Sequence, residues 1–141
     1  MTLYLDTSLV VAALTNEEKT EPVLAWLDAQ ASDELAIGEL VVVEVSSALS
    51  IKLRTGQLEA PHRASALAAF NRMVVENLTM LAISSTDIRI AAGFADRHDL
   101  GLRAGDAIHL AVAGRNGATV CTLDRRMAAA GVELGVPTLL L

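Results

Sequence analysis

Four acidic residues, Asp6, Glu44, Asp106 and Asp124, stand in otherwise apolar segments of this sequence. Asp6 follows Thr2-Leu3-Tyr4-Leu5, where a short strand should stop, and the hydroxyls of Thr7 and Ser8 precede the apolar run Leu9–Leu14. Asp124 repeats that arrangement after Thr119-Val120-Cys121-Thr122. Glu44 lies among Leu40, Val41, Val45 and Ala48, and Asp106 opens the apolar stretch Ala107–Ala113. Bringing carboxylates together needs a reason, because two of them about 4 Å apart repel by roughly 4 kcal/mol at an effective dielectric near 20. A hard, oxygen-seeking cation such as Mg²⁺ or Mn²⁺ reverses that sign. Such a centre activates water and stabilises charge on a phosphodiester in its transition state.

Each acid also has an ordinary reading. Asp6, Asp106 and Asp124 suit helix N-caps, worth about 1 kcal/mol apiece, and Glu44 could be paired with Arg or Lys on its apolar helix face. Their joint occurrence favours the metal centre, provided that the strands before Asp6 and Asp124 are neighbours in one sheet. Thr7, Ser8 and Thr122 are caps that can also hold metal-bound water. His109, three residues beyond Asp106, shares its helical face and is read as packed or hydrogen-bonded, with orientation of a carboxylate or metal ligation as its functional roles. Arg125 and Arg126 are read as a solvated face, with a role near substrate phosphate as the functional alternative.

The elements that must position these residues alternate strand and helix. Strands are expected at Thr2–Asp6, Leu35–Ile37, Met80–Ile83 and Thr119–Thr122, with an edge strand within Pro137–Leu141. Pro22 starts one helix, which Ser32-Asp33-Glu34 ends, and Leu40–Leu53 forms another, stopped by Gly56. Pro61 opens a helix to about Val75, and Ser84-Ser85-Thr86-Asp87 caps one reaching about His98. After a loop from Leu100 to Gly105, Asp106 begins a helix terminated by Gly114 and Gly117. Asp124 begins the last helix, ended by Gly131. The pattern specifies one α/β domain over residues 1–141, a three-layer sandwich with a central, mostly parallel sheet.

Composition agrees. The chain has 141 residues, 52% hydrophobic but only 3% aromatic, so its core is built from Ala, Val, Leu and Ile, as in a sheet covered on both faces. One cysteine, Cys121, excludes a disulfide framework and a Cys-based zinc site and points to a reducing, cytoplasmic setting. No signal peptide is evident, and no apolar run approaches the roughly 18 residues of a membrane span. A net charge of -6 argues against sequence-independent nucleic-acid binding, although cations bound by four carboxylates would neutralise much of that excess.

Taken together, Leu5-Asp6-Thr7-Ser8, Glu44 before Val45-Ser46-Ser47-Ala48-Leu49, Gly105-Asp106-Ala107-Ile108-His109-Leu110-Ala111 and Thr122-Leu123-Asp124-Arg125-Arg126 resemble the PIN-domain proteins. More narrowly, they resemble VapC-type toxins of toxin–antitoxin pairs. The resemblance spans nearly the whole chain and implies an Mg²⁺- or Mn²⁺-dependent endoribonuclease whose metal ligands are Asp6, Glu44, Asp106 and Asp124. It also implies an RNA substrate, a homodimer, and a cognate antitoxin whose tail covers the site, often with an Arg. DNA would be met only through that antitoxin. One departure is Gly38-Glu39, where the family often has Ser or Thr before the second-acid helix.

Other chemistries fit less well. A phosphate-accepting Asp6 would require a Lys late in the chain, and the last is Lys52; dehalogenase-like phosphatases also want an Asp where Ser8 stands. No Gly-rich turn follows the first strand, as dinucleotide binding requires. The alternative outside catalysis is an inert PIN-like module that acts through its antitoxin or partner complex.

Overall fold

The computed structural model describes residues 1–141. Five strands, β1 (Leu3–Leu5), β2 (Leu35–Gly38), β3 (Thr79–Leu81), β4 (Thr119–Thr122) and β5 (Thr138–Leu140), form one sheet in the order β3-β2-β1-β4-β5. Every pairing is parallel, so the expected "mostly parallel" sheet is wholly so. Seven α-helices cover it: α1 (Thr7–Leu14), α2 (Thr20–Asp28), α3 (Glu39–Arg54), α4 (Ala60–Glu76), α5 (Ser85–Asp96), α6 (Ala104–Arg115) and α7 (Arg125–Glu133).

The two-residue alternation of β1 divides the core. Leu3 and Leu5 point to one face, where they join Leu9, Val10, Val41, Val45, Leu49 and Phe70 of α1, α3 and α4. Tyr4 points to the other, among Leu110, Val112, Val120, Met127 and Val136. Both layers are therefore apolar, and the three-layer α/β sandwich follows.

Several boundaries differ from expectation. The second helix begins at Thr20 rather than Pro22 and stops at Asp28, while Ser32–Glu34 makes a separate 3₁₀ turn. Helix α6 starts at Ala104, so Asp106 lies at its third position instead of opening it. Gly114 and Gly131 sit inside α6 and α7. Gly131 has a packing reason: a Cβ there would collide with Thr138 on β5. Strand β3 runs from Thr79 to Leu81, slightly earlier than expected. No helix is long and apolar enough to cross a membrane.

Candidate metal centre at the carboxyl edge of the sheet

Strands β1 and β4 are neighbours, with Leu5 opposite Cys121. The chain passes from β1 to β2 on one side and reaches β4 on the other, so this edge is the switch point where open α/β sheets place ligands. Asp6 lies just beyond Leu5, its N–H bonded to the Cys121 carbonyl at 3.1 Å. This puts the Asp6 carboxylate beside Thr122 and the start of α7.

Asp6 is only 3% exposed. Its Oδ1 accepts from Ser8 Oγ at 2.8 Å and from the Leu9 N–H at 3.1 Å. Its Oδ2 accepts from Thr122 Oγ1 at 2.6 Å and from Ser8 Oγ at 3.0 Å. All these donors are neutral. Burial pushes the Asp6 carboxyl above the ordinary carboxylate range, although the bonds from Thr122, Leu9 and Ser8 oppose the shift. The N-cap reading of Asp6 is thus correct as far as it goes, but a cap is normally wet and this one is buried with its charge uncompensated.

Thr122 extends the arrangement, since its hydroxyl also accepts the Asp124 N–H at 2.9 Å. Asp124 caps α7 through one oxygen, Oδ1, which takes the N–H groups of Arg126 at 2.8 Å and Met127 at 3.2 Å. Its Oδ2 accepts nothing from the protein. Arg125 and Arg126 are exposed, and Arg126 reaches the Gly101 carbonyl at 3.4 Å rather than a carboxylate of the site.

Glu44 approaches from α3. Its side chain is 35% exposed, so it borders the site instead of lying inside an apolar face. No Arg or Lys pairs with it. Oε1 accepts from Thr7 Oγ1 at 2.9 Å and is hydrogen-bonded to His109 Nε2. Burial works against its charged form, yet the hydrogen bonds from His109 and Thr7 hold its carboxyl below the usual range. Oε2 has no hydrogen-bond partner and lies 3.1 Å from where a Gly105 Cβ would be. A glycine there lets the first turn of α6, and with it Asp106, approach Glu44. Asp106 itself accepts the Arg103 N–H at 3.2 Å.

Asp6 and Asp124 lie at this edge, Glu44 borders it and Asp106 follows Gly105 beside Glu44, but no three His, Cys, Asp or Glu side chains converge closely enough to hold one metal ion. The expected convergence of all four on one point is corrected to this looser arrangement. The reason is local: Asp6, Asp106 and Asp124 are each drawn back to N–H groups at their own helix ends. In chemistry the set fits a hard cation, with carboxylate oxygens, free lone pairs on Glu44 and Asp124, and neighbouring hydroxyls. The only thiol, Cys121, is fully buried, and burial, aided by the charge of Asp6, pushes it up to about 12.

Sequence reasoning left Tyr4 unremarked. It is fully buried and meets His109 Nδ1 through its hydroxyl at 2.6 Å. One signal was available, because a tyrosine inside a buried strand needs a partner for its hydroxyl. His109 is indeed hydrogen-bonded and packed, at 2% exposure.

The PIN domain family matches residues 3–133. No curated protein sequence is matched significantly. Among solved structures, FitAcB from Neisseria gonorrhoeae is similar with a TM-score of 0.77 at 18% identity, over 98% of this chain and 96% of that one. VapC20 of Mycobacterium tuberculosis, described as a sarcin–ricin loop cleaving toxin, gives 0.74 at 19% identity, over 92% and 95%. VapBC2 from Rickettsia felis, bound to a DNA fragment from its promoter, gives 0.68 at 16% identity, over 99% and 98%. These likenesses are of fold. The family match covers nearly the full length and coincides with the switch-point edge that carries the acids, and the chain belongs to the PIN-domain family.

Proposed function

We propose that this chain is the toxin of a toxin–antitoxin pair, a VapC-type endoribonuclease that uses Mg²⁺ or Mn²⁺ at the edge formed by Asp6, Glu44, Asp106 and Asp124. One observation carries the reading. Asp6 is a buried carboxylate at the ligand-binding edge of the sheet with only neutral donors around it. A fold tolerates such a charge poorly unless something positive is meant to meet it.

A bound divalent cation supplies an activated water and neutralises charge gathering on the phosphodiester. The chain's own residues prepare its seat. Ser8, Leu9 and Thr122 fix the Asp6 carboxylate, and Thr122 ties it to the backbone of Asp124. Glu44 Oε2 and Asp124 Oδ2 keep free lone pairs for ligation, and Asp106 flanks them on α6. Exposed Arg125 and Arg126 flank the same edge and suit contact with the RNA backbone. Toxin–antitoxin structures among the similar folds support a cognate antitoxin, with DNA reached through it. Exposed Val42, Val43 and Ile51 on α3 support a homodimer, and the absence of spanning helices accords with a cytoplasmic site of action.

The test is induced expression with purified-protein cleavage. Wild type should arrest growth and cut RNA only with Mg²⁺ or Mn²⁺, and Asp6→Asn should do neither while keeping its circular dichroism. Full toxicity of that variant would refute the proposal. A second reading, an inert module acting through its partner complex, is favoured by the lack of any three convergent ligands. Growth arrest without RNA cleavage would select it.

A further inference from the structure

A chain of hydrogen bonds runs from Tyr4 on β1 through His109 to Glu44 and includes none of the other three acids. Tyr4 is fully buried, and its hydroxyl meets His109 Nδ1 at 2.6 Å. The rings meet edge to face, their centroids 5.7 Å apart. The other imidazole nitrogen, Nε2, reaches Glu44 Oε1. Oε1 also receives Thr7, so both hydrogen bonds to Glu44 fall on one oxygen.

The proton positions follow from hydrogen-bond accounting. An ionised Glu44 only accepts, so Nε2 must carry a proton. Were Nδ1 protonated as well, the Tyr4 oxygen would have to accept from it, and the buried phenolic proton would be left without an acceptor. Such a stranded polar group is costly. One arrangement satisfies every atom: Tyr4 donates to Nδ1, and Nε2–H donates to Glu44.

We propose that Tyr4 and His109 form a buried strut that positions Glu44, Tyr4 selecting the Nε2–H tautomer and His109 and Thr7 together holding Oε1 so that Oε2 faces the metal site. This deepens the nuclease reading and rests on Glu44 being a ligand. Tyr4 and His109 are positioning residues, the outer partners that orient a ligating side chain. The strut also accounts for Gly38, which stands where the family it resembles often has Ser or Thr. A Cβ at Gly38 would collide with the Tyr4 hydroxyl, which occupies the space that a side chain would fill.

The test has two readouts. Long-range ¹⁵N–¹H correlation spectra of the metal-free protein report which imidazole nitrogen of His109 is protonated. Wild type should show Nε2–H alone, and Tyr4→Phe, which removes one oxygen, should give a mixture. Calorimetric titration with Mn²⁺ should show affinity falling about tenfold in Tyr4→Phe and further in His109→Leu. His109→Gln, which keeps an N–H for Glu44, should recover much of the loss. Protonation at Nδ1 in wild type, or unchanged spectra and Mn²⁺ affinity in Tyr4→Phe, would overturn the strut. If wild type binds no Mn²⁺, the nuclease reading and the ligand-positioning role fall together. The tautomer assignment would still stand or fall on the imidazole spectrum.

Discussion

Replacing Asp6 by Asn should stabilise the metal-free protein and abolish its stabilisation by metal. Asp6 is 3% exposed and its donors are all neutral. Burial raises its folded-state carboxyl above the unfolded value, so the folded chain takes up the proton first as pH falls. Stability of the wild-type apoprotein therefore rises as pH falls through the folded pKa towards the unfolded one, and above the folded pKa the ionised carboxylate is a net burden. An Asn oxygen keeps the bonds from Leu9 and Ser8. Its amide N–H₂ faces Thr122 Oγ1, which must turn from donor to acceptor at a cost of about 1 kcal/mol. Removing an uncompensated buried charge returns roughly 2–3 kcal/mol. The net gain is about 1–2 kcal/mol, a rise in Tm of about 3–8 °C for a domain of this size. With Mn²⁺ at about 100 times its Kd, wild type should gain about 2.7 kcal/mol and the variant nothing. Thermal melts in EDTA and in Mn²⁺ should thus rank the two proteins in opposite orders. A variant less stable than wild type in EDTA would refute the reasoning that Asp6 bears an unrelieved charge.

Three shorter predictions concern other parts of the fold. Gly105→Ala places a Cβ 3.1 Å from Glu44 Oε2, so Mn²⁺ affinity should fall about tenfold with little change in Tm, as read by calorimetry and melting. Asp87 has no exposed surface and pairs with Arg115 at 2.5 and 2.8 Å, which, against burial, lowers it to about 2. Its contribution is present above the unfolded carboxylate range and lost as pH falls towards about 2. Arg115→Gln should therefore lower Tm by several degrees at neutral pH and by less in acid, solvent screening at the half-exposed guanidinium keeping the effect modest. Cys121, fully buried with its thiol pushed up to about 12, should resist iodoacetamide until the protein unfolds.

Much of this architecture was legible in the sequence because it rests on local signals. The apolar strands ending at Asp6 and Asp124 repeat one motif, and the sheet order sets them side by side. The helix around Glu44 was readable despite its valines because its length and period suit no strand. Other features had no local signature. Asp106 seemed to open α6 because Gly105 and Gly101 resemble loop residues, whereas Gly105 sits in the first turn for its closeness to Glu44. Asp87 read as part of a capping box, which it is, but its second partner lies 28 residues away at Arg115. Tyr4 and His109 are separated by 105 positions and meet only because β1 and α6 pack on one face. The spread of the acids along the edge, rather than at one point, is likewise set by helix-end N–H groups whose exact positions depend on where each helix starts.

The proposed metal site draws on Asp6, Glu44, Asp106 and Asp124. Its most direct test is calorimetric titration of Mn²⁺ into wild type, Asp6→Asn, Glu44→Gln and Asp124→Asn under identical conditions. Saturable binding by wild type, lost or weakened at least tenfold in each variant, is the predicted result. Wild type without saturable binding, or variants that bind as wild type does, would contradict it.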